Sequence, residues 1–369
     1  MGEISDIPTA SAYSQARRKF RGELFLHLNQ QASRKFYLEY EEEIEVWEGR
    51  RVLAVDGTYL NLPDTDETRA RFSIQINQHS NGERVQMLCS VLYDVLNDIG
   101  LNMSFGPRTA EKEFLFNSHL AQTGAKDLLV LDRTYADYSV LATLLSNCRD
   151  FVIRFPRHGF KKVDEFFSGK VEDKVVELQL PNNQKKYVRQ HSLAEKLRIR
   201  LVKVRLDNGE IEVLGTNLMA ASRQDIYEIY GWRWGIETYF DRLKNVFELE
   251  RFSSQNVMSI EQDVYGTFFL ATIESILSRS ADEELADESS DCQYQQQVNH
   301  SVSYSAMLDH MTDLLLDQSI STEETVAKLH QLFLTNPTLR RPGRKFPRPD
   351  YRSAHRQLNY HRYSKRIIS

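Results

Sequence analysis

An α/β fold on a mixed sheet, with helical parts at both ends, is what this sequence predicts. Three observations lead there. Short apolar runs rich in β-branched residues and bounded by turn residues recur in RVLAVDGTYL, LLVLD and FVIRF. Such runs are the mark of strands buried on both faces. Segments of helical character, such as YSVLATLLSNC, fall between them. The order is strand, strand, strand, helix, strand, helix, strand, which suits three antiparallel strands followed by parallel additions with helices on both faces.

Residues 1–48 read as helical. Thr9 or Ser11 would cap a helix through AYSQARRKF, and a second helix would cover GELFLHLNQQASRKFYLEYEEEI. Residues 51–60 are the first strand, and RVQMLCSVLYDVL and IGLNMSF are the second and third. TAEKEFLFNSHLAQTG is a helix with Thr109 as its cap. Then come strand LLVLD, helix YSVLATLLSNC and strand FVIRF. This order is that of a ribonuclease-H-like core, assigned to residues 49–280. Within it, 156–218 reads as a β-rich insertion, because KVVELQL, KKYVRQ, RIRLVKVRL and EIEVLGTNL alternate or run β-branched. Asp207-Asn208-Gly209 marks a hairpin between the last two. DVYGTFFLATIESILSR follows as a core helix. Residues 281–338 open with an acidic linker, ADEELADESSD, and continue as two amphipathic helices, the second capped by Ser321 with Glu324. Residues 339–369 form a basic tail.

Composition excludes several classes. Of 369 residues, 41% are hydrophobic and 27% charged, ordinary for a globular protein. Cys89, Cys148 and Cys292 form no CxxC pair, which argues against a disulfide framework or zinc site and fits the cytoplasm. No signal peptide or membrane-spanning run is expected. There is no HExxH and no Gly-rich phosphate loop, so a nucleotide cofactor is disfavoured. His119, on an apolar helix face, reads as structural. The net charge is −5, yet from Arg340 onward ten basic residues oppose only Asp350, giving that tail +9 and the rest −14. A basic tail carrying Phe346, Tyr351, Tyr360 and Tyr363 suits phosphates and bases, or is a solvated extension. Basic residues also gather at Arg17, Arg18, Lys19 and Arg21, and along the insertion from Lys161 to Arg205. The insertion is either a ribbon for a DNA backbone or a charged outer face.

Two acids stand at the ends of buried runs: Asp56 after RVLAV and Asp132 after LLVL. Each is costly to bury without a partner. Each is also readable as a strand-ending turn cap, Asp56 especially because Gly57 follows. A third acid lies in YGWRWGIETYFDRLK. There Tyr230, Arg233, Glu237 and Lys244 share a helical arc about 60° wide, joined by Asp241. That face is either an ion-paired surface or a metal site beside phosphate-binding groups. Hard divalent cations take oxygen ligands, and two such ions can clamp both oxygens of a phosphodiester displacement.

The spacing Tyr-x2-Arg-x3-Glu-x6-Lys, with AVDGT and LVLDRTY upstream, resembles the DDE transposases of bacterial insertion sequences, the insertion-sequence-four group in particular. LYDVLNDIG and the order Asp, Asp, Glu support it. Thr134 departs from the glycine common in that group. The resemblance implies a DNA transposase that cleaves element ends and transfers strands to target DNA. Asp56, Asp132 and Glu237 would be the catalytic acids and ligands of two Mg²⁺, with Mn²⁺ as substitute. Tyr230, Arg233 and Lys244 would bind phosphates. It also implies double-stranded DNA as partner and a homodimer on DNA, and it makes residues 1–48 either the last part of an end-binding helical region or a plain helical hairpin packed on the core. The alternatives are a stand-alone nuclease of the same fold and a non-catalytic DNA-binding remnant.

Overall fold

The computed structural model describes residues 9–76, 83–107, 111–206, 209–315, 319 and 321–340. The chain opens with α1 (Ala10–Arg17) and α2 (Glu23–Glu39), and Thr9 caps α1 by accepting from the Ala12 amide. β1 (Arg51–Asn61), α3 (Asp66–Arg71), β2 (Ser73–Ile76), β3 (Glu83–Asp94) and β4 (Ile99–Gly106) follow. Next are α4 (Glu111–Phe114), β5 (Asp127–Leu131), α5 (Tyr138–Ser146) and β6 (Asp150–Phe155). α4 runs on into one π turn and one 3₁₀ turn, to Gln122. The insertion contributes α6 (Lys161–Ser168), β7 (Asp173–Gln179), α7 (Lys185–Gln190), β8 (Lys196–Arg205) and β9 (Ile211–Thr216). α8 (Arg223–Trp232), α9 (Trp234–Asn245), α10 (Val257–Glu288), β10 (Gln296–Gln297), α11 (His300–Leu315), α12 (Thr322–Phe333) and β11 (Thr338–Leu339) complete it.

β1 to β9 form one sheet in the order β2-β3-β1-β5-β6-β9-β8-β7, with β4 also paired to β3. β1 runs antiparallel to β3 and parallel to β5, and β5 runs parallel to β6. The path β4-β3-β1-β5-β6 is the ribonuclease-H-like order that the succession of segments predicts. The two-residue period of β1 divides its burial. Val52 and Ala54 face a cluster with Ile229, Ile236 and Phe268 of α8, α9 and α10. Leu53 and Val55 face another with Tyr135, Tyr138 and Leu141. Full burial of such side chains contributes about 1.5–3 kcal/mol each.

Several segments differ from expectation. The insertion is not set apart: β9 pairs antiparallel with β6, so β7, β8 and β9 lengthen the core sheet. KKYVRQ is the helix α7, not a strand. Its apolar residues Tyr187 and Val188 are neighbours, which a strand would send to opposite faces. Residues 281–288 are no linker but the end of the 32-residue α10. Ala281 and Leu285, four apart, pack with Leu329 and Phe333 of α12, Asp282 accepts from the Val298 amide (2.7 Å), and Glu283, Asp287 and Glu288 take the outer face. α3 and β2 were not anticipated. The N-terminal helices lie against the core, where Asn29 of α2 donates to the Gly100 carbonyl (2.7 Å) and Arg17 pairs with Asp263 (2.9 Å). Gly209, at φ +81°, closes the β8–β9 hairpin. Ser321 caps α12 through the Glu324 amide. Thr109, Asp207, Asn208 and residues 341–369 lie outside the described residues.

Two buried polar groups fix the frame around the sheet. His119 accepts at Nδ1 from Asn102 (3.1 Å) and donates from Nε2 to Ser90 (3.0 Å), and burial pushes its pKa down to about 3. It is structural, as its apolar helix face predicts. Arg242 of α9 grips Asp98 in the β3–β4 turn with two hydrogen bonds (2.6 and 2.7 Å) and also touches His300 (3.1 Å). His300 in turn meets the fully buried Glu274 of α10 (3.0 Å). This chain ties α9, α10 and α11 to the sheet.

Candidate active site

Parallel pairing sets Val55 beside Leu131, so one step further Asp56 lies beside Asp132. Adjacent strands are about 4.8 Å apart, which makes the two carboxylates neighbours. Both are even-numbered residues of strands whose even face lies under α8 and α9. Asp56 is in mid-strand rather than at a strand end, because β1 continues to Asn61 along β3. What ends at this level is β5. Asp132 caps the single 3₁₀ turn Arg133–Tyr135, accepting from the Thr134 amide (2.7 Å) and hydroxyl (3.2 Å). Thr134 therefore orients the acid where glycine could supply no hydroxyl.

The third acid comes from above. The helix expected across 230–244 is two helices meeting at Arg233, whose dihedrals stay helical (φ −49°, ψ −30°). Bonds from Arg233 to Tyr230 and from Ile236 to Arg233, both three residues back, tighten the joint. Tyr230, Arg233 and Glu237 stay on the side facing the acids. The guanidinium of Arg233, 12% exposed, donates to Glu237 (2.7 Å) and lies 3.4 Å from Asp56. Tyr230 lies beneath that guanidinium, 5.7 Å from its ring centre. Burial chiefly raises the pKa of its phenol, with Arg233, Arg154, Glu212 and Asp132 as charged neighbours. Asp241 does not join the group; it is exposed and accepts from Asn245 (2.6 Å).

Lys244 points at β1 from the next turns of α9. Its ammonium donates to the Tyr59 carbonyl (2.8 Å), and burial lowers its pKa. Near it Glu250 accepts from the Asn61 amide (2.9 Å). Both β1 groups lie beyond the end of β5.

The electrostatics are those of crowded carboxylates. Burial, opposed by the Gly57 amide at 2.8 Å, pushes the Asp56 pKa up to about 6; Asp132 and Glu111 add to the rise and Arg233 opposes it. Sequence reasoning missed Glu111. It comes from α4, on the far face of the sheet, and approaches β1 at Gly57, where a side chain would lie 3.4 Å from its Oε1. The one available signal was Gly57 itself, since glycine inside a strand often marks a close approach.

Among the described residues, no three Asp, Glu, His or Cys side chains are arranged to hold a metal ion as they stand. The donor chemistry nevertheless fits a hard cation: oxygen only, crowded, with a partly desolvated Asp56 whose charge a cation would stabilise. In this arrangement the positive charge between Asp56 and Glu237 is Arg233. Elsewhere, several basic groups of the sequence reading are spent internally. Arg17 binds Asp263, Arg200 binds Asp173 (2.6 Å), and Lys203 holds the Gly169 carbonyl and stacks on Phe166. Among the described residues, no helix is long and apolar enough to cross a membrane.

Residues 47–273 match the family described as the transposase DDE domain. A curated relative, the transposase InsG for insertion sequence element IS4 of Escherichia coli strain K12, is 24% identical over 231 residues. That match covers 60% of this chain and 50% of InsG, so the chain spans about half the length of this relative. Among solved structures, a piggyBac transposase synaptic complex with hairpin DNA is similar at a TM-score of 0.44 and 8% identity, over 80% of this chain and 59% of the other.

Proposed function

Because this chain belongs to the transposase DDE-domain family, we propose that it is a DNA transposase acting on double-stranded element ends and target DNA, as a homodimer in the cytoplasm. The observation that supports this best is Asp56 and Asp132 side by side on adjacent parallel strands, facing Glu237 across Arg233. These acids would hold two divalent ions, Mg²⁺ with Mn²⁺ as substitute. Such ions, when bound, supply Lewis-acid stabilisation of an in-line phosphodiester displacement. The rest is the work of the chain. Thr134 holds the Asp132 carboxylate in one orientation. Arg233, at a helical joint, keeps Glu237 directed at Asp56 and can pass its guanidinium to a phosphate. Tyr230 offers a phenol proton on the same side. Lys244 uses one of its three donors on Tyr59 and keeps two for a DNA backbone.

The test is a plasmid carrying a selectable segment between candidate element ends cloned from either side of the gene, incubated with purified protein and Mg²⁺. Excised and rejoined products are expected from the parent, and neither from D132N or E237Q, with folding preserved. Cleavage without joining would point to a stand-alone nuclease. Wild-type activity of D132N would overturn the assignment.

A further inference from the structure

We propose that the outward face of α2 docks on α2 of a second copy of this chain, the two helices antiparallel about a two-fold axis near Gln31. The partner rests on the homodimer proposed above. The surface is an addition to it, and no residue of the candidate active site lies on it.

Both faces of α2 carry apolar side chains, and the fold uses one of them. Phe25, Asn29, Ser33 and Phe36 turn inward, where α2 meets β4 and α10. On the other side Leu24, Leu28, Gln31, Lys35 and Leu38 share an arc about 80° wide. The three leucines are 47%, 42% and 70% exposed. A single exposed leucine is ordinary, but steps of four, three, four and three trace the seam of a two-helix coiled coil.

Charge selects the occupant and its direction. Just before α2 stand Arg18, Lys19 and Arg21, and just after it Glu41, Glu42, Glu43 and Glu45, all exposed. Among the described residues Lys35 pairs with Glu39 (3.6 Å), but none of these flanking side chains enters an ion pair. α2 is about 25 Å long, so the two charged ends of one chain lie too far apart to meet. A two-fold axis at Gln31 sets Leu24 against the partner's Leu38 and lays each basic end over the partner's acidic end. A parallel pair would instead stack like charges at both ends. Three leucines fall well short of the roughly 1,200–2,000 Å² of a stable interface, so the pairing is weak and salt-sensitive.

The experiment is sedimentation equilibrium of the full-length protein, with and without duplex DNA, at about 0.1 M and about 0.5 M salt. It compares the parent with L28E, R21E, E41R and the R21E/E41R double variant. These positions are exposed, so thermal unfolding of all four should match the parent. The parent should dimerise without DNA, less tightly at the higher salt. L28E should weaken dimerisation at least about tenfold, and R21E and E41R about threefold each. The double variant should recover most of that loss, because its reversed charges meet only across the axis. A double variant no tighter than either single one overturns the antiparallel pairing. A dimer indifferent to L28E, or a parent that dimerises only on DNA, overturns this surface and leaves the homodimer standing. A parent monomeric throughout overturns both.

Discussion

The Arg233 guanidinium donates to Glu237 at 2.7 Å while lying 3.4 Å from Asp56, so a single side chain neutralises one acid from the helix and one from the sheet. Truncating it leaves two half-buried carboxylates facing each other. Arg233→Ala should lower stability by about 2 kcal/mol in chelator, and millimolar Mn²⁺ should restore more of that loss than it adds to the parent. Denaturant titrations with and without metal measure this. An equal metal increment in both proteins would show that the arginine and the cation do not compete for one place.

Arg242 and Asp98 are the other decisive pair. Asp98 sits at φ +57° in the β3–β4 turn and keeps some solvent exposure. Arg242→Met would remove both hydrogen bonds and strand His300 and Glu274 behind it. A loss of about 2–4 kcal/mol is expected, from the lower part of the range for a broken buried pair because Asp98 is not fully enclosed. Hydrogen exchange should show the largest protection loss in α11 and α12, not in β1.

Acid should destabilise this protein partly through His119. Its folded pKa is depressed to about 3, whereas an unfolded histidine titrates near 6.5. Its contribution is therefore full above about pH 6.5 and is lost as pH falls toward 3. Each pH unit in that window removes about 1.4 kcal/mol. His119→Asn should be less stable at neutral pH, through poorer bonding to Ser90 and Asn102, yet show a flatter decline between about pH 6 and pH 4. Urea midpoints across that range would reveal parallel curves if the histidine were not the cause.

Lys244→Ala should reduce the salt dependence of DNA affinity by about one counterion, the signature of one lost phosphate contact. Its cost to stability should be about 1 kcal/mol, the Tyr59 hydrogen bond. An unchanged salt slope would confine the lysine to holding β1.

The basic tail is best removed after Arg340, since Thr338 and Leu339 pair with Gln296 and Gln297. The shortened protein should bind random duplexes several-fold more weakly with a lower salt slope, and keep its metal affinity. Band-shift titrations over a range of salt decide it; identical curves would mean the tail is only solvated.

The strands that carry the two aspartates were legible because buried parallel strands announce themselves by composition. RVLAV and LLVL each run into an acid, but the register that sets Asp56 level with Asp132 comes from the pairing of β1 with β5 and has no local sequence signal. The helix face carrying Tyr230, Arg233 and Glu237 was legible from angular spacing, although the joint at Arg233 was not. Charge misled in two places. The acids of 281–288 hid the apolar pair Ala281 and Leu285, and the lysines of 185–186 hid a helix anchored by Val188 with Tyr187 beside it. Glu111 was out of reach because its partners come from β1 and the turn after β5, and no local pattern encodes that meeting.

Among the described residues, the flank of β1 from Gly57 to Asn61, beyond the end of β5, has no neighbouring strand on that side. A bare flank of this kind is a template on which another chain can add a strand. Here Lys244 covers the Tyr59 carbonyl and Glu250 covers the Asn61 amide, so each end of the opening carries a charge that an incoming backbone would have to displace. Both caps thus hinder the addition of a peptide strand along this flank. Losing both caps would turn this flank into a site of self-association.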